Sequence, residues 1–153
     1  MNRHLGLGAA IVLTLSASLA GCSGSPETPP ARAAAEGLAG ALSSGHLHGI
    51  GFTGRSAVPA QKWWNRTVAA MGSSKPQVQV SGVKETADHT KATATLAYDW
   101  DLAGSGSHWK YQTTAQLLRT ADTWKVARDP ALLAPSLRSG ESLALSKEAA
   151  PRG

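Results

Sequence analysis

The sequence predicts an α+β domain, and three observations carry that prediction. Residues 91–102 alternate between apolar and polar side chains with Ala97 the only exception, residues 109–117 alternate again, and residues 59–71 place Trp64, Val68 and Met71 on one helical face. Helical periodicity in the first half and a period of two in the second gives helices followed by strands. A sheet built from such strands has one buried face, and the helices are its natural cover.

The first helix is expected over residues 33–44, where Leu38 and Leu42 share a face with Ala34 and Ala35. Gly37 and Gly40 weaken it and predict a short, partly frayed element. Residues 45–54, with Gly at 45, 49, 51 and 54, read as an irregular loop with brief extended parts. Pro59 suits the first turn of the second helix, and Gly72 suits a left-handed cap at its end.

Beyond Gly72, Val78 and Val80 alternate with glutamines, and Gly82 marks a bulge or bend. In the clearest strand, Ala92, Ala94, Leu96, Tyr98, Trp100 and Leu102 take one face. The Gly/Ser run at 103–107 is a hairpin loop. Trp109, Tyr111, Thr113, Ala115 and Leu117 line the next strand, residues 120–122 turn, and Trp124 and Val126 begin another. An antiparallel sheet follows.

The chain has 153 residues, 15 Lys and Arg against 10 Asp and Glu, and one Cys. That length allows one small domain. A lone Cys excludes an internal disulfide framework and a Cys-rich zinc site. The net charge of +5 raises nucleic acid as a partner, but the basic residues are dispersed among acids with no run of three, and no nucleic-acid partner is expected.

The N-terminus reads as an export address. Arg3 and His4 precede an apolar run over residues 5–19, too short for a bilayer span and right for a secretory leader. It closes on Leu19-Ala20-Gly21-Cys22, which resembles the bacterial lipoprotein lipobox. That resemblance implies cleavage after residue 21 and lipidation of Cys22, with the chain held on the outer face of the bacterial cell membrane. Residues 22–34 are expected to be the lipidated Cys and a Pro/Ser/Gly tether, and residues 35–149 the folded domain.

The segment from Trp124 reads WKVARDPALLAPSLRSGESLAL. Its strand, Asp129-Pro130, short apolar turn and Pro135-Ser136-Leu137 resemble the end of the NTF2-like N-terminal domain, the MecA-type domain, of class B penicillin-binding proteins. Residues 98–102, the Gly/Ser hairpin and residues 109–113 resemble the middle strands of actinobacterial members, and residues 60–72 their helix. Arg128 and Ala134 depart from the family, which often has Trp and His there. The Arg152-Gly153 pair resembles the opening of the family's next module, so residues 150–153 are expected to begin a linker. The resemblance implies an NTF2-like cone, with short N-terminal helices on a curved antiparallel sheet. It also implies a non-catalytic spacer or interaction module in peptidoglycan assembly and the β-lactam response. Cell-wall synthesis proteins or peptidoglycan are the implied partners beside the membrane.

Catalytic patterns are weak. Ser81/Lys84 and Ser107/Lys110 match S-x-x-K, but both fall in or beside expected strands, where i and i+3 point to opposite faces, and no S-x-N or K-T-G element occurs. His46 and His48 read as a solvated loop pair, and neither a metal nor a cofactor is expected. NTF2-like cones also host enzymes such as ketosteroid isomerases, which need a buried Asp base and an oxyanion donor. Asp99 and Asp101 fall on the polar face of their strand, opposite Tyr98 and Trp100. The sequon at Asn65 lies on an expected helix and is discounted. Trp64, Tyr98, Trp100, Trp109, Tyr111 and Trp124 are the candidate core or cone-lining aromatics, filling the space between helix and sheet. The alternative is an exported lipoprotein whose cone binds a small apolar or glycan ligand.

Overall fold

The computed structural model describes residues 30–54, 58–102 and 105–146. The expected leader, Cys22 and residues 150–153 lie outside the described residues. Two helices pack with a five-stranded sheet, the α+β arrangement of a cone. Helix α1 is Ala31–Ser44, β1 Phe52–Thr53, α2 Ala60–Val68, β2 Pro76–Glu85, β3 Lys91–Asp101, β4 His108–Thr120 and β5 Thr123–Ala127. The strand order is β1-β5-β4-β3-β2.

Helix α1 starts earlier than expected and is complete rather than frayed. Ala31, Ala35, Leu38, Ala39 and Leu42 form one buried stripe, which places Ala31 itself at 0 % exposure and takes residues 31–34 out of the tether. Gly37 and Gly40 lie on the exposed face, so their helix penalty of about 1 kcal/mol each is offset by burial of that stripe. Gly45, at φ +75°, ends the helix by donating its N–H to the Ala41 carbonyl.

Helix α2 is shorter than the expected 59–71. It closes at Val68, and Gly72 (φ +65°) serves the turn that follows. Met71 is buried beyond the helix, so the buried helical face is Trp64 and Thr67.

The sheet alternates as the sequence predicts. Ala92, Ala94, Leu96, Tyr98 and Trp100 of β3 face the core, beside Thr113, Ala115 and Leu117 of β4. In β2 the register steps from Val80↔Leu96 to Gly82↔Thr95, leaving Ser81 as the bulged residue. This strand forms a sheet edge, and the Ser43 hydroxyl of α1 accepts the Val78 N–H at 2.8 Å, satisfying one outward backbone group.

Two expectations are corrected. The sheet is mixed rather than antiparallel, because Phe52 and Thr53 of the expected loop pair in parallel with Val126 and Ala127. A two-residue strand leaves no period to read. Trp109 does not fill the core, being 38 % exposed at the loop end of the β3–β4 hairpin opposite Trp100. Period-two reasoning assigned its face correctly, but the α1 cover does not extend that far along β4.

A Cβ added at Gly37 or Gly40 would meet nothing within 4 Å. Gly40→Ala should therefore raise unfolding free energy by about 0.5–1 kcal/mol in urea titrations, with Gly37→Ala doing the same. Leu38→Ala, between the two glycines on the buried face at 0 % exposure, should lower it by about 2–5 kcal/mol.

Candidate functional site

The inner face of the cone is closed by the chain itself. After β5, Asp129 accepts the Ala131 N–H at 2.9 Å and caps a 3-10 turn, Pro130–Leu132, whose first residue has no N–H to satisfy. The turn drives Leu132, Leu133 and Ala134 into the core. Its carbonyls would be buried without water, and sheet hydroxyls meet them. Tyr98 donates to the Leu132 oxygen at 2.8 Å, Thr113 to the same oxygen at 3.0 Å, and Tyr111 to the Leu133 oxygen at 2.6 Å. Trp100 Nε1 donates to the Tyr111 hydroxyl at 2.9 Å. The two tyrosine rings stack at 5.0 Å and 9°.

Of the six candidate aromatics, Trp64, Tyr98 and Trp100 are thus core, Tyr111 and Trp124 are half-buried against it, and Trp109 stands outside, tilted on Tyr111 at 4.5 Å. Burial pushes the Tyr98 hydroxyl far above its ordinary range. Burial also pushes Tyr111 up to about 12, although the Trp100 N–H acts in the opposite direction.

Asp99 and Asp101 project from the other sheet face, away from these tyrosines. Asp99 meets His108 Nδ1 at 2.6 Å and Lys110 Nζ at 3.2 Å. The hydrogen bond with His108, aided by Lys110, holds its carboxyl below the usual carboxylate range. It is an anion on an outer hollow of about 400 Å³ floored by Gln77, Gln79, Ala97 and Gln112. His46 and His48 are exposed, and no group of three or more His, Cys, Asp or Glu is placed to hold a metal among the described residues. Ser81 and Lys84 share strand β2, and Lys110 lies in β4, so neither Ser–Lys pair sits on a helix. In the sequon, Thr67 is buried and donates to the Trp63 carbonyl at 2.9 Å.

The larger cavity lies elsewhere. A cleft of about 620 Å³ opens between α2, the end of β1 and residues 138–142. Trp63 forms its wall, with Phe52 edge-on at 6.4 Å and the Arg128 guanidinium 5.7 Å from its ring centre. Both terminal nitrogens of Arg128 donate to the Val58 carbonyl at 2.7 Å. Arg66, from the last turn of α2, and Arg138 complete the basic lining. The opposite wall is fastened to α2 by the Leu143 N–H on the Thr67 carbonyl at 2.7 Å and by a bridge between Ala70 and Ala144.

Sequence reasoning did not single out Trp63, Arg66 or Arg138, and it noted Arg128 only as a family departure. The available signal was the Trp63-Trp64 pair. Adjacent helical residues point about 100° apart, so when Trp64 enters the core Trp63 is turned to its flank. No protein-family model matches the chain, and no curated protein matches it in sequence.

The chain has two tyrosines, both in this network. Their folded-state ionisation lies above the ordinary 10.0. The folded state therefore holds more protons than the unfolded state once pH exceeds about 10, and stability falls as pH rises through that window. The native protein should show no tyrosinate absorbance change near pH 10, whereas the chain in denaturant should titrate there. Native titration of even one tyrosine at about 10 would contradict this. Tyr98→Phe should cost about 1–2 kcal/mol in urea unfolding, because the buried Leu132 carbonyl loses a donor.

Proposed function

We propose that this chain is a membrane-anchored, non-catalytic NTF2-like module of penicillin-binding-protein type, held on the outer face of the bacterial cell membrane through Cys22. On this reading it works as a spacer or interaction domain in peptidoglycan assembly and the β-lactam response. The observation that carries the non-catalytic part is the filled cone. The position where a cone enzyme needs a free acid or oxyanion donor holds Tyr98 and Tyr111, whose hydroxyls are committed to the Leu132 and Leu133 carbonyls. The nearby carboxylate, Asp99, faces the other way and is paired with His108 and Lys110.

The cell-wall assignment rests on the resemblance at residues 98–102, 109–113 and 124–137 together with the lipobox-like Leu19-Ala20-Gly21-Cys22. A second reading, an exported ligand-binding lipoprotein, is favoured by the cleft at Trp63 and Arg128. With the cone filled by Leu132 and Leu133, that cleft is where its ligand would sit.

The parent chain should incorporate labelled palmitate in growing cells, and Cys22→Ala should abolish that incorporation. A parent chain that takes up no label would refute the anchor. Fluorescent penicillin should leave no covalent label on the purified chain, and a labelled band would refute the non-catalytic reading.

A further inference from the structure

The cleft beside α2 gathers charge that the fold does not consume. Arg66, Arg128 and Arg138 stand 62 and 10 positions apart in the sequence, yet line one cavity. Arg66 and Arg138 are exposed, and neither guanidinium forms an ion pair among the described residues. Arg128 differs, since the Val58 carbonyl and the Trp63 ring hold it in place. Among the lining residues the carboxylate is Glu141, and its Oε2 accepts the Arg138 backbone N–H at 2.8 Å. Three guanidinium groups therefore face one carboxylate. The even dispersion of charge along the sequence does not carry over to this part of the surface.

We propose that this cleft binds an oxyanion, a carboxylate or phosphate on a soluble ligand, with Arg66 and Arg138 as direct donors and Arg128 as the fixed charge behind them. A guanidinium presents a planar fork of N–H groups that matches either oxyanion in a bidentate manner. Two such forks on exposed, unpaired side chains can close on a ligand without breaking an existing ion pair. Arg128 adds attraction at no further ordering cost, because it is already immobilised. The Trp63 wall offers apolar surface for the part of the ligand that carries the anion, and Ser139 and Ser142 line the same cleft with hydroxyls. Helix geometry alone accounts for a basic residue at the position of Arg66, in the last turn of α2. It does not account for Arg138, which lies on a turn where Gly140 takes φ +89° and the Glu141 N–H donates to the Arg138 carbonyl at 3.1 Å. This proposal rests on the cleft alone and stands or falls independently of the anchoring and cell-wall reading.

The test uses the full mature chain, titrated separately with inorganic pyrophosphate and with a uronic acid trimer. Calorimetry and tryptophan fluorescence provide the readouts. Saturable binding of either probe that weakens as salt rises supports the proposal, and the probe that binds distinguishes a phosphate from a carboxylate source. The Arg66→Gln/Arg138→Gln double variant should weaken binding at least about tenfold at unchanged melting temperature, since both side chains are exposed and form no ion pair among the described residues. Absence of saturable binding by both probes overturns the proposal. So does a double variant that binds like the parent. Phosphatidylglycerol vesicles form a third arm, and binding to vesicles alone would also overturn it, in favour of a membrane-facing patch.

Discussion

Three sheet hydroxyls meeting two carbonyls hold this structure in its shape. Tyr98, Thr113 and Tyr111 reach across from β3 and β4 to the backbone of Leu132 and Leu133. A buried carbonyl without a donor costs about 1–3 kcal/mol, so the apolar turn can enter the cone only where such donors wait for it. Once inside, it buries Leu132, Leu133 and Ala134 against the inner sheet face and closes a space that α1 covers from the other end. The turn also aims the chain. What leaves it runs back to α2, where Leu143 bonds the Thr67 carbonyl and Ala144 pairs with Ala70. The cleft therefore exists because the cone is plugged.

The same arrangement separates chemistry from packing. The inner face carries both tyrosines, and burial raises their ionisation further above the ordinary value of 10.0. The outer face keeps its charges in water. There the His108–Asp99–Lys110 group links two antiparallel neighbours at the loop end of the hairpin. Such an exposed group contributes little to stability and more to register.

The sheet was largely legible in the sequence, and the reasons are local. Residues 91–101 bury every second side chain, and the alternation reports the pleat directly. The bulge was legible because Gly82 breaks that alternation beside Ser81. Helix ends were less legible. Ala31 reads as tether beside Pro29 and Pro30, yet its burial depends on a sheet that comes later in the chain. The brief extended part of residues 45–54 was legible, but its parallel pairing was not, since Phe52 and Thr53 become a strand only by meeting β5. The cleft was illegible for the same reason. Arg66, Arg128 and Arg138 are unremarkable one at a time, and their common cavity is a property of the closed fold.

The cleft joins a firm wall to a loosely held one. Arg128 follows directly on β5, whose Val126 is buried and bonded through its N–H to the Gly51 carbonyl. Its guanidinium is then locked between Val58 and Trp63. Across from it, residues 138–142 are exposed, and so is Arg66 in the last turn of α2. Few buried contacts mean a low local cost of opening. A cleft built this way can hold one charge in a fixed place while the residues facing it adjust. Arg128, held by Val58 and by Trp63 of α2, supplies the fixed position, and the exposed side chains of Arg66 and Arg138 supply the adjustment.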